Sequence, residues 1–189
     1  MKLSSKFLIS FALATLVMGN IPALADGEPL PNRTGPRQST TNSVPHMQTG
    51  AIPPPTFTKM LLERVATIPD VKIQGTVMSI AGAKGFWVGD DLALPRPEVF
   101  VRGREFAHVH PDGSLHASLP PKLALEAVKA GWATPHPWAS QRQGWGGFVM
   151  LFTPKSAAEL DVVFELVLKS YNFVTGRNMV VVNDQGLKP

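Results

Sequence analysis

The chain has 189 residues, 44% of them hydrophobic and 17% charged, which suits one ordinary domain with a tail and excludes wholesale disorder. It has no Cys, which excludes disulfides, thiolate metal sites, iron–sulfur clusters and thiol nucleophiles. The net charge of +4 falls to +2 when Lys2 and Lys6 are set aside with a leader, and no basic stripe remains to neutralise a run of phosphates, so nucleic acid is not an expected partner.

Lys2 and Lys6 form a short positive segment, Phe7 to Met18 is an uncharged apolar run, and Ala23-Leu24-Ala25 supplies a small-x-small cleavage pattern. The expectation is a signal peptide over residues 1–25 and a periplasmic or secreted protein; an uncleaved N-terminal anchor is the alternative. The apolar run is shorter than the roughly 20 residues of a membrane-spanning helix, and no later stretch is long and apolar enough. No transmembrane helix is expected once the leader is removed, and no feature specifies an oligomeric state.

Residues 26–55 contain Pro29, Pro31, Pro36, Pro45, Pro53, Pro54 and Pro55 among Asn, Thr, Ser, Gln and Gly. Proline fixes φ and lacks an N–H, so helix and central strand are disfavoured. This stretch reads as a disordered linker, with His46 a solvated bystander. The folded domain is expected over residues 56–183, followed by a tail over 184–189.

Within the domain, Thr56 can cap a helix with Phe57, Met60, Leu61, Val65 and Ile68 at helical spacing. Val71 to Ile80 alternates as a strand, Phe86-Trp87-Val88 reads as a short strand, and so does Val99-Phe100-Val101. Pro120-Pro121 opens a second helix, with Leu123, Leu125, Ala127 and Val128 inward and Gly131 at its end. Trp132 to Gly147 reads as a loop, and Phe148 to Phe152 as a buried strand. Ser156 and Glu159 form a capping box for a long helix bearing Leu160, Val163, Phe164, Val167, Leu168 and Tyr171, stopped by Gly176. Met179 to Val182 can add a last strand. Strands and helices are segregated, which argues an α+β fold: a mainly antiparallel sheet with a central β-hairpin and helices packed on one face.

The hairpin is the most informative segment. In Arg104 to Leu119, two alternating runs flank Pro111-Asp112-Gly113, a three-residue loop with Pro and Asp in the turn and Gly in the left-handed position. That register sets His110 against Ser114 and His108 against His116. One face then carries Phe106, His108, His110, Ser114, His116 and Ser118; the other carries Ala107, Val109, Leu115, Ala117 and Leu119 and is the core face. A two-residue loop would put His116 into the core, so the binary pattern supports the three-residue reading. Four of the five His fall between residues 108 and 136, a concentration that favours a site over an incidental polar face.

His108, His110, His116 and His136 are the candidate catalytic residues, as general bases and hydrogen-bond donors toward a small organic ligand. Phe106, Ser114, Ser118, Trp132, Trp138 and Trp145 are the candidate substrate-binding residues; plain core packing is the alternative for each Trp. No cofactor is expected on this reading. The alternative is a divalent-metal enzyme, with zinc or another ion on His108, His110 and His116; against it, Glu105 is expected to point away from that face, leaving no carboxylate to orient an imidazole. A non-catalytic small-molecule-binding module is the third reading.

The motifs Arg104-Glu105-Phe106-Ala107-His108-Val109-His110, Ser114-Leu115-His116, Gly131-Trp132, His136-Pro137 and Phe148 to Pro154, with Glu159, Val162, Val163 and Ser170, resemble the luciferase-like domain of fungal luciferase over roughly residues 99–176. The turn at Pro111 to Gly113 is more compact here, Trp138-Ala139-Ser140 stands where that family tends to Leu-Ala-Gly, and the N-terminal segment differs from its membrane-associated counterpart. The resemblance implies a pocket for a small enolic or phenolic compound and its oxidation with molecular oxygen as co-substrate, without a recognised metal or flavin.

Overall fold

A computed structural model describes residues 29–50, 55–182 and 186–189. The expected leader, residues 1–25, lies outside the described residues. Among the described residues, ten strands and three α-helices follow in chain order: β1 (Ser39–Thr40), β2 (Gln48–Thr49), α1 (Thr56–Val65), β3 (Val71–Gly75), β4 (Lys84–Val88), β5 (Glu105–Val109), β6 (Leu115–Ser118), α2 (Pro121–Lys129), β7 (Ala133–Pro135), β8 (Phe148–Leu151), α3 (Ala157–Thr175), β9 (Val180–Val181) and β10 (Leu187–Lys188). The six central strands form one antiparallel sheet in the order β3-β4-β5-β6-β8-β7, and the pairs β1–β2 and β9–β10 are small hairpins. The fold is α+β.

Alternation in the strands divides the sheet into two faces. Phe86, Ala107, Val109, Leu115, Ala117, Val149 and Leu151 point to one side and are buried with Leu61 and Val65 of α1, Ala124 and Ala127 of α2, and Leu160, Val163 and Val167 of α3. Burying each large aliphatic side chain there is worth about 2 kcal/mol. The helix α3 starts where its sequence says: Ser156 Oγ accepts from Glu159 N at 3.2 Å, a cap worth about 1 kcal/mol, and Gly176 closes it in the left-handed conformation at φ 72°.

Several local expectations are corrected. Val99-Phe100-Val101 is not a strand; a single 3-10 turn over Pro97–Val99 buries Val99 instead. The strand beginning at Val71 ends at Gly75 rather than Ile80. The long loop after Trp132 contains β7, a three-residue edge strand on β8. Leu125 is exposed, because α2 turns its alanines inward. The tail is not free, since Leu187 pairs with Val181 and packs on the core.

The largest correction concerns the Pro-rich stretch. Residues 29–50 are an ordered strap over the domain. The Arg33 guanidinium donates to the Glu159 carboxylate at 2.8 Å and to Thr153 O at 2.8 Å, with both charged side chains nearly buried. Trp132 Nε1 donates to Pro31 O, Thr153 N donates to Gln48 Oε1, and His46 is buried. Proline forbids regular ladders here, as expected. It does not forbid irregular chain whose polar groups are satisfied by the domain beneath.

Candidate functional site

The hairpin turn places the site. His110 N donates to Ser114 O at 2.8 Å, Gly113 N donates to His110 O at 2.9 Å, and Gly113 takes φ 85°. The resulting register pairs His108 with His116 and Val109 with Leu115, as the three-residue loop requires. Strand β8 extends the same face, since Met150 lies opposite His116 and Phe148 opposite Ser118. The chain leaving β7 brings His136 beside Phe148, with ring centroids 4.3 Å apart.

On this face His108, His110, His116 and His136 converge, and the strap adds His46. All five are buried. His116 is the hub, its ring centroid 5.0 Å from His108, 4.8 Å from His110, 4.7 Å from His136 and 5.3 Å from His46. The five imidazoles line a cavity of about 220 Å³. Apolar wall is supplied by Trp138, Phe148, Met78, Ile80 and Val101. The polar face of the hairpin therefore looks into a partly open pocket beneath the strap.

The ring nitrogens have assignable roles. Trp138 N donates to His136 Nδ1 at 3.0 Å, so the proton of neutral His136 resides on Nε2, which makes that nitrogen a donor. Ser114 N and Ser114 Oγ both donate to Asp112 Oδ1, and His110 Nδ1 lies 3.0 Å from Ser114 Oγ. With the hydroxyl proton spent on Asp112, Ser114 Oγ accepts from His110 Nδ1–H and leaves His110 Nε2 as a lone pair. His108 Nε2 is 3.0 Å from His116 Nδ1, and His116 Nε2 is 3.1 Å from His46 Nδ1.

Burial governs the charge of the cluster. It pushes His110 down to about 4, with further lowering from His108 and His46 and an opposing pull from Asp112. It pushes His136 down to about 3, helped by His46, His108 and His110. His116 lies well below its usual value and His46 is lowered too, both chiefly through burial. These four imidazoles are neutral at pH 7, because burial away from water penalises their charge and, for His110, His116 and His136, the neighbouring imidazoles add to that penalty.

Glu105 overturns the expected absence of a carboxylate. It is almost fully buried, and its Oε1 stands 3.0 Å from His108 Nδ1, off the line of a hydrogen bond. Thr76 Oγ1 and Val77 N hold the carboxylate at 2.7 and 3.0 Å. The cause is a β-bulge: Phe86 pairs with Ala107 but Trp87 pairs with Glu105, so Phe106 is an extra residue in β5. An extra residue reverses the alternation beyond it. Glu105 thus joins the histidine face, above Gly85, where an added Cβ would stand 2.9 Å from the Glu105 carboxyl carbon.

The same bulge corrects Phe106. It lies in the core, with ring centroids 6.2 Å from Phe86 and 6.0 Å from Tyr171, and is not on the pocket side. Trp132 is also a core residue beneath the strap, with the Arg33 guanidinium over its ring. Trp145 stacks behind Trp138 at 6.3 Å and supports the wall from outside. Ser114 buttresses His110, and Ser118 donates to Val99 O; neither reaches the cavity. Of the candidate binding residues, Trp138 alone lines it. Sequence reasoning missed His46, for which the Pro-rich composition gave no periodic signal, and Glu105, whose bulge leaves none in the alternation.

Comparison with known proteins falls on the same segment. Residues 103–170, which include the hairpin, β8 and most of α3, match the Luciferase domain family. The chain carries a luciferase-like domain. It is 28% identical over 166 residues to a luciferase of Armillaria gallica and 28% identical over 167 residues to a luciferase of Neonothopanus nambi, in each case over 77% of this chain. It spans 61% of the length of each of these relatives. No solved structure matches. Three of the clustered imidazoles and Glu105 lie inside the matched luciferase segment, as does His136, while His46 lies outside it.

Proposed function

We propose that this luciferase-like protein binds a small, electron-rich enolic or phenolic compound in the histidine cavity and promotes its oxidation by molecular oxygen. The observation that carries the reading is the convergence of five buried imidazoles on one cavity of about 220 Å³ with an aromatic wall. The volume suits a compound of one or two rings. Trp138 and Phe148 offer flat surfaces for such rings. His136 Nε2–H faces an oxygen of the ligand as a donor, and neutral imidazole nitrogens accept the enol or phenol proton. A proton arriving on His108 is compensated by the Glu105 carboxylate 3.0 Å away. The deprotonated compound is then the electron donor and oxygen the oxidant. The two fungal relatives named luciferase support oxygen chemistry as the class of reaction. The leader-like sequence pattern of residues 1–25 supports export, and on this reading the activity belongs to the periplasm or the medium.

An oxygen electrode with a panel of hydroxypyrones and catechols tests the reading. Wild type consumes oxygen with at least one probe, and His108→Ala, still folded by circular dichroism, loses about 100-fold or more in rate. Saturable binding of these probes with no oxygen uptake identifies a binding module and rejects the oxidation.

A further inference from the structure

We propose that Nε2 of His108, Nε2 of His110 and Nδ1 of His116 form a three-imidazole site for one divalent transition-metal ion, with its open position facing the cavity. The inference deepens the reading of this cavity as the functional pocket and rests on it. Two sets of three His offer ring nitrogens within 4.8 Å of one another: His108, His110 and His116, and His46, His116 and His136. The hydrogen-bond network separates them. Trp138 N occupies the His136 Nδ1 lone pair and leaves the proton on Nε2, so His136 has no free lone pair to give. The first set has all three. His110 Nδ1 is tied to Ser114, His108 Nδ1 faces Glu105, and His116 Nε2 can pass its proton toward His46 Nδ1 at 3.1 Å.

The surroundings are those that a ligated imidazole requires. Histidines on a metal rely on a partner behind the ring, often a carboxylate, to fix the tautomer and raise donor strength. Here the Glu105 carboxylate lies 3.0 Å from His108 Nδ1, close enough for its charge to act on the ring though not aligned as a hydrogen bond, and Asp112 stands behind His110 through Ser114. Glu105 is buried and held by two neutral donors, Thr76 and Val77, so it supplies negative charge that a divalent ion next door would balance. His108 Nε2 and His116 Nδ1 are already 3.0 Å apart, against the about 3.3 Å edge of a tetrahedral shell with ~2.0 Å metal–nitrogen bonds. An all-imidazole set favours Zn, Cu, Fe, Co or Ni over Mg or Ca. Such an ion would acidify an enol or phenol bound at its open position, a task otherwise left to the imidazole lone pairs.

Cobalt(II) titration of the full chain, stripped of metal and followed by visible absorption, tests the site with a readout independent of activity. Wild type binds one Co²⁺ per chain, displaced by one Zn²⁺. His110→Ala abolishes the signal, Glu105→Gln weakens binding about 10- to 100-fold, and His136→Ala retains one ion. Each variant is checked for fold by circular dichroism. No stoichiometric ion in wild type, or loss in His136→Ala equal to that in His110→Ala, overturns the proposal. Binding of a hydroxypyrone by the stripped protein is measured alongside. A cavity that takes the organic probe but no ion rejects the metal alone, and one that takes the ion but no probe rejects the functional reading alone.

Discussion

At the scale of single residues, the pocket depends on which nitrogen of each imidazole carries the proton, and the main chain and a few side chains decide that. Trp138 N sets His136 as a donor; the Asp112–Ser114 pair sets His110 as an acceptor. Gly113 matters as much, because it alone lets the turn close. Its φ of 85° is costly for an L side chain, and an added Cβ would meet Thr58 Oγ1 at 2.4 Å and Thr153 Cγ2 at 2.6 Å. Gly113→Ala is expected to lower stability by about 2 kcal/mol or more in urea unfolding; a change under 0.5 kcal/mol contradicts this role. The residues of the turn were legible in the sequence because Pro-Asp-Gly has one good local solution, and the positions of His108, His110 and His116 followed from it. Glu105 and Phe106 were not legible: an extra residue in a strand shifts alternation without changing composition, and the partner strand that reveals it lies about twenty positions away.

At the scale of elements, the strap is the part of the molecule that turns a histidine-rich sheet face into a pocket. It carries His46 onto His116 and covers the cavity with Val44, Pro45 and Met47. Its anchor is the Arg33–Glu159 pair, which also ties it to the first turn of α3. Removing Arg33 leaves a nearly buried carboxylate without its cation, so Arg33→Ala is expected to cost about 3 kcal/mol in denaturant unfolding. Wild-type stability in that variant contradicts an anchoring role. Helix α3 and the β5–β6 hairpin were readable from capping and alternation, since both signals are local. The strap was not, because its order comes from polar groups and one cation docking on distant surface, and no periodicity records that.

At the scale of the whole molecule, one sheet separates two incompatible environments: an apolar core under three helices and a cluster of buried imidazoles on the other side. The cluster makes stability depend on pH. His110 and His136, at about 4 and about 3 in the folded state, titrate near 6.5 when unfolded. Between those values the unfolded chain binds more protons, so stability is full above about pH 6.5 and is lost as pH falls toward 4 and 3. The loss is on the order of 3 kcal/mol from His110 alone. Chemical denaturation of the metal-free protein at pH 7.5 and 4.5 checks this, and equal stability at the two values contradicts it. The α+β class was legible from the segregation of helical and alternating segments, and the packing of helices on one face followed from the single apolar side of the hairpin.

The central claim is that the histidine face is a ligand cavity, and calorimetric titration of the metal-free protein with hydroxypyrone and catechol probes tests it most directly. Wild type is predicted to show one saturable site per chain, weakened about 10-fold or more in His110→Ala, where a buried hydrogen-bonding group is lost from the wall. No saturable binding by wild type, or equal affinity in the variant, would contradict the claim.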